Sequence, residues 1–216
     1  MLFRSGDTIR DFRRLPSRGT AEWLTVGGLA ALGSRAADSS VGRSLAGSRQ
    51  LHETVEAGAI IGGTPFALGA AVATFAIGRQ MHSPRVAQAG ADLVRAQLVA
   101  EALTFGVKQA VRRDRPEGAG YAFPSGHTAV TFASATVLQR HFGWKAGIPA
   151  YAVASYVAVS RVQMQKHYLS DVAFGAALGI LAARTVTIGH GRGLQVSPLA
   201  APGGAAVSFT WIGKKP

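Results

Sequence analysis

Apolar residues in this chain come in long blocks separated by short clusters of charge, proline and glycine, and the blocks have helical lengths. They cover residues 20–37, 55–79, 87–114, 127–141, 146–163 and 169–188. Strand-type alternation is nearly absent, so the pattern predicts six helices. Glycine and alanine are dense inside the blocks, which lets helices approach closely. Residues 57–77 form the best candidate for a membrane span, with only Thr64-Pro65 and Thr74 interrupting the apolar run. The run 23–33 is short, and 87–107 carries Asp92, Arg95 and Glu101. Asp92 and Arg95 lie three apart, able to pair and face a bundle interior.

The expected architecture is all-α: a single six-helix bundle, membrane-embedded, with short irregular N- and C-terminal extensions. Residues 1–19 form the basic N-terminal segment, 20–188 the helical domain and 189–216 a Gly- and Pro-rich tail. Within that tail only 205–212 reads as a strand. No internal repeat is visible, and 216 residues suffice for one domain with a real core.

Composition narrows the function classes. The chain has no cysteine, which excludes disulfides and thiolate chemistry and suits either cytoplasmic or exported residence. A net charge of +12 would fit a nucleic-acid binder, but the basic residues are scattered and few aromatics lie among them to stack bases. Nucleic acid is therefore not an expected partner. Much of the excess sits at Arg4, Arg10, Arg13, Arg14 and Arg18. No apolar stretch follows Met1, so a cleavable signal peptide is not evident. Asp7, Asp11 and Pro16 argue against a transit peptide. The mean hydropathy of +0.19 is low for six spans.

Three polar segments in the second half share one chemical logic. Lys108 and Arg115 are seven apart, two helical turns, and are expected on one helix face, with Pro116 ending that helix. A lysine point charge and an arginine fork suit phosphate oxygens. Pro124-Ser125-Gly126-His127 precedes an apolar run. Ser125 reads as its N-cap and Gly126 leaves its N–H open, which together make an anion site. In the third segment Ser160-Arg161 is followed by His167 and Asp171, which are four apart and neighbours if helical. A carboxylate on one ring nitrogen would leave the other free as a nucleophile. Ser170 is an alternative helix start, which would put His167 just before the helix. No His-x3-His or His-Glu-x-x-His pair accompanies these residues, and no metal is expected.

The order Lys-x6-Arg-Pro, Pro-Ser-Gly-His, Ser-Arg-x5-His-x3-Asp resembles the signature of the type 2 phosphatidic acid phosphatases. That superfamily also holds the bacterial class A acid phosphatases and the vanadium haloperoxidases. The resemblance spans Lys108 to Asp171, with one departure: only seven residues, 117–123, separate Pro116 from Pro124. That linker is short for the family, and the loop often used to shape substrate entry is reduced.

The resemblance implies a cofactor-free phosphatase. Lys108, Arg115 and Arg161 would hold the phosphoryl oxygens with Ser125 and Gly126. His167 would attack phosphorus, Asp171 would support it, and His127 would serve the leaving group and then water. The implied substrates are lipid phosphates or diphosphates, or another phosphomonoester, with membrane lipids as the surroundings. The oligomeric state is open.

A cytoplasmic N-terminus with six crossings puts all of these residues on the extracytoplasmic face. Arg79, Arg85, Arg140, Lys145, Arg184, Arg192, Lys214 and Lys215 then fall inside, in agreement with the positive-inside bias. The alternatives are a soluble exported (periplasmic) acid phosphatase, a vanadium-dependent haloperoxidase, and a membrane protein with a dead site.

Overall fold

Pairs of small residues decide how this bundle closes. The computed structural model describes residues 5–46, 49–118, 120–187, 193–201 and 204–212. Nine helices occur among the described residues: α1 (Ser5–Arg14), α2 (Arg18–Arg35), α3 (Asp38–Ala46), α4 (Arg49–Ile61), α5 (Thr64–Gln80), α6 (Pro84–Val111), α7 (Gly126–Phe142), α8 (Trp144–Gln163) and α9 (Leu169–Val186). The helices α7 and α9 form the centre and lie against each other. Around them α2 packs on α9, α6 on both, α8 on α7, α5 on α6 and α4 on α8. Ala129, Ala133, Ala182 and Ala183 are buried where α7 meets α9. Gly179 lies so close to the Ala129 backbone that a Cβ there would collide with it. Large apolar side chains lie mostly outside: Leu29, Leu32, Phe66, Phe105 and Ile148 are each more than half exposed.

Five of the six predicted segments return as single helices with ends shifted by a few residues: α2, α6, α7, α8 and α9. The predicted helix 55–79 does not. It is two helices, α4 and α5, bent by 58°. Gly62 and Gly63 have little intrinsic preference for continuing a helix, and Pro65 lacks the N–H that would bond back across the break. The best candidate for a membrane span is thus a broken one. Among the described residues α9 is the one helix long and apolar enough to cross a membrane unaided, and the bent pair qualifies if taken as one span. The predicted helix 87–114 also ends early, at Val111. There Arg112 turns left-handed at φ 50 and its N–H bonds the Lys108 carbonyl.

Both extensions hold regular structure among the described residues. The N-terminal one contains α1, whose buried Asp11 takes two hydrogen bonds of 2.8 Å from Arg95 on α6. Arg95 also pairs with Asp92 at 2.8 Å, and Asp92 holds the His141 ring at the same distance, so the expected Asp92–Arg95 pair does face the interior. The C-terminal extension contains an antiparallel hairpin of β1 (Gly193–Ala201) and β2 (Gly204–Ile212), with Gly193 opposite Ile212 and Ala201 opposite Gly204. The strand-like run 205–212 is its second strand. The first strand contains Pro198, which weakens its strand pattern.

Candidate active site

The functional segments meet at one end of the bundle, where α6 and α8 finish and α7 and α9 begin. Between α6 and α7 the short linker folds back as a tight hairpin. Ala122 N–H donates to the Arg113 carbonyl at 2.6 Å and Arg115 N–H to that of Gly120 at 3.3 Å. Gly118 and Gly120 take φ values of 89° and 79°, a left-handed backbone that side chains disfavour. This hairpin presents the Ala122 carbonyl inward. Lys108 Nζ donates to the Tyr121 and Ala122 carbonyls at 2.9 and 3.4 Å. An ammonium has three donors, so one N–H remains for another acceptor. Arg115 lies on the hairpin rather than on α6, so the expectation of one helical face shared with Lys108 is overturned. Its guanidinium reaches the site through the turn.

His167 precedes α9, in the loop after α8, and its Nδ1 lies 2.7 Å from the Ala122 carbonyl. A carbonyl only accepts, so Nδ1 carries the hydrogen and Nε2 keeps its lone pair. Asp171 Oδ2 is 3.8 Å from Nδ1, beyond hydrogen-bond range. The predicted carboxylate–imidazole bond is therefore replaced by a carbonyl–imidazole bond, because His167 lies two residues before the first residue of the helix that carries Asp171. Burial, joined by the cations Lys108 and Arg161, pushes the His167 imidazole below its ordinary 6.5, against an opposing pull from Asp171.

Asp171 instead ties the site together. Its Oδ2 accepts from Tyr168 N–H at 2.8 Å and closes the start of α9, while Oδ1 accepts from Arg113 at 2.8 Å. Arg113 also donates to Ser170 Oγ at 2.7 Å and to Asp38 at 2.8 Å, and its guanidinium stacks on the Tyr168 ring at 3.9 Å. Asp38 in turn accepts from Ser170 N–H and Oγ at 2.8 and 2.7 Å. Burial alone would raise the Asp38 carboxyl, but these bonds outweigh it and hold the group below its usual 3.8.

The start of α7 is built as expected. Ser125 is fully buried, and its Oγ takes the Thr128 N–H at 3.5 Å and lies 3.0 Å from the Thr128 hydroxyl. Its backbone N–H donates to the Asp171 carbonyl at 3.0 Å, which locks the α7 start to the α9 start. Gly175 packs against the Ser125 carbonyl, too close for any side chain. Gly126 is the first residue of α7, where backbone N–H groups lack helical acceptors. His127 follows, half-buried, with Gly62 of the α4–α5 break packed on its Cβ.

Arg161, at the end of α8, is only 7% exposed. Its Nε and that of Arg115 are buried with no hydrogen-bond partner among the described residues. Such orphaned charged donors are costly unless an acceptor arrives. Arg161, Arg115 and His167 all lie near enough to act electrostatically on His127. At the mouth, Glu117 pairs with Arg115 at 3.6 Å and with Lys166.

All eight residues singled out from the sequence thus gather at this end of the bundle. Missed were Arg113, Asp38, the Ala122 carbonyl and Glu117. Arg113 reads as one charge in a basic run, and Asp38 lies 75 residues from its partner. A backbone carbonyl carries no sequence signal at all.

The PAP2 superfamily family model matches residues 109–193. A lipid A 1-phosphatase of Porphyromonas gingivalis is 42% identical over 78 residues, 34% of this chain but only 18% of that protein. A decaprenylphosphoryl-5-phosphoribose phosphatase of Mycobacterium tuberculosis is 34% identical over 134 residues, 57% of this chain and 71% of the relative. Among solved structures, the transmembrane PAP2-type phosphatidylglycerolphosphate phosphatase of Bacillus subtilis superposes with a TM-score of 0.66. It is 21% identical, over 79% of this chain and 95% of that one. Aquifex aeolicus LpxE gives 0.60 at 21% identity, over 70% and 94%.

Proposed function

This chain belongs to the PAP2 superfamily, and from that premise we propose that it is a metal-independent phosphatase of a lipid phosphate or diphosphate, working through a phosphohistidine. One observation carries the reading most directly. His167 donates Nδ1–H to Ala122, which leaves Nε2 as a free nucleophile beside Lys108 and the partnerless Nε groups of Arg115 and Arg161.

Nε2 of His167 attacks phosphorus, the bond to the leaving oxygen breaks, and His127 gives that oxygen its proton. Water then attacks the phosphohistidine, His127 takes the water's proton, and inorganic phosphate leaves with His167 restored. Lys108, Arg115, Arg161 and the Gly126 N–H neutralise charge on the transferring phosphoryl group. Asp171 acts through position, holding Arg113 and the α9 start. Ser125 serves mainly as the cap that orients the α7 N-terminus.

Two features favour a lipid substrate at a membrane. The core is built largely of alanine and valine while Leu29, Leu32, Phe66 and Ile148 face outward, an arrangement suited to lipid and poor in water. An apolar groove of about 300 Å³ lined by Ile61, Phe66, Thr131, Ala135, Leu138 and Val153 opens among α4–α8, with Thr131 one turn along α7 from His127. We assign the site to the extracytoplasmic face, since Arg79, Arg85, Arg140 and Lys145 lie toward the other end.

The test is phosphate release in detergent with EDTA from phosphatidate, phosphatidylglycerophosphate, undecaprenyl diphosphate and a soluble aryl phosphate. EDTA-resistant release with a lipid preferred is expected. Preference for the aryl ester would favour a soluble-type acid phosphatase, and no release from any of them would overturn the reading.

A further inference from the structure

We propose that Glu117 selects substrates by charge. Its carboxylate stands at the mouth where a second anionic group next to the reacting phosphoryl would lie, and so favours phosphomonoesters over diphosphates. This rests on the phosphatase reading above.

The geometry is specific to the short linker of this chain. Glu117 is carried at the tip of the 113–122 hairpin, directly after Pro116 and before Gly118, which turns left-handed at φ 89. One carboxylate oxygen lies 3.6 Å from Arg115 and the other pairs with Lys166. Its charge also reaches Arg161. Glu117 thus neutralises the outer, solvent-facing cations of the site, while the buried Nε atoms of Arg115 and Arg161 stay without partners beneath it. A single phosphoryl group can take those inner donors and leave Glu117 in place. The outer phosphate of a diphosphate would need Arg115 and Lys166, both already engaged, and would face a like charge.

Lys166 offers a control of opposite sign. Glu117→Gln removes the negative charge and keeps the size of the side chain, whereas Lys166→Gln keeps the carboxylate and leaves Arg115 as its remaining partner. If the ion pair were only a structural latch, both variants would break it and shift binding the same way. The exposed position of Glu117 makes either variant compatible with folding.

The experiment is calorimetric binding of inorganic phosphate and of pyrophosphate to the purified full chain and both variants, without turnover. Glu117→Gln is expected to tighten pyrophosphate about tenfold more than phosphate, and Lys166→Gln to weaken pyrophosphate relative to phosphate. An unchanged ratio, or shifts of the same sign in both variants, would overturn the inference while leaving the phosphatase reading intact. No phosphate binding by the native chain would overturn both.

Discussion

His167 donates to a carbonyl and Asp171 accepts from an arginine, and substitutions at the two positions should therefore differ in kind. His167→Ala should leave no phosphate release above background, because the proposed mechanism carries the phosphoryl group on its Nε2. His127→Ala should slow breakdown more than formation, so that protein quenched in alkaline detergent carries phosphate as an alkali-stable, acid-labile adduct. Because the buried His167 ring is held below 6.5, the protonation that removes the nucleophile comes at lower pH than for an exposed histidine. The acidic limb of kcat/KM is expected below pH 6.5, and Asp171→Asn, which removes a group that raises the ring, should move it lower still. A limb at or above 6.5 in the native chain would contradict this. Asp38 follows linkage of the depressed-carboxylate kind: its stabilisation is present above its usual 3.8 and is lost as pH falls through its lower folded value. Breaking a buried pair costs about 3–5 kcal/mol, and Arg113 is 24% exposed, so Asp38→Asn should cost nearer 2–3 kcal/mol by that scale. A lowered melting midpoint in detergent, together with reduced turnover, would check it.

Among the elements, the α7–α9 contact carries the site, because it sets Ser125 against Asp171. Gly175 abuts the Ser125 carbonyl and Gly179 the Ala129 backbone. A valine at Gly175 has to push the start of α7 away, at about 1–3 kcal/mol by the cost of overpacking. Gly175→Val is therefore expected to lose both thermal stability and phosphate release. Gly28 on α2 has open space around it, so Gly28→Ala should leave activity unchanged and add a few tenths to ~1 kcal/mol through helix propensity. Equal effects of the two changes on activity would show that close packing of α7 on α9 does not position the site.

For the whole molecule, the placement of charge predicts an orientation. The chain has no cysteine, so single cysteines report cleanly. Gln109 lies exposed at the active-site end of α6 and Gln80 exposed at the end of α5 nearer Arg85. In intact cells Gln109→Cys should react with an impermeant maleimide, and Gln80→Cys only after permeabilisation. The reverse pattern would place the site on the cytoplasmic side. The opposite end is held by Asp11, Arg95, Asp92 and His141, which anchors α1 to the bundle.

Five of the six helical blocks, and the eight residues that gather at one end of the bundle, were legible in the sequence, because apolar periodicity and short-range spacing are local properties. Ser125 as the cap of α7 and the Asp92–Arg95 pair follow from neighbours three residues apart. What tertiary structure alone decided is who holds what. The break at Gly62–Gly63 delivers α4 to His127, and the turn at Arg112 moves Arg115 onto a hairpin. That hairpin supplies the Ala122 carbonyl to His167 and frees Asp171 to bind Arg113. These partners lie 45 to 75 residues apart or are backbone atoms. Hydrogen bonds of that kind are chosen by which chain segments the packed helices bring together, and residue identity does not encode them locally.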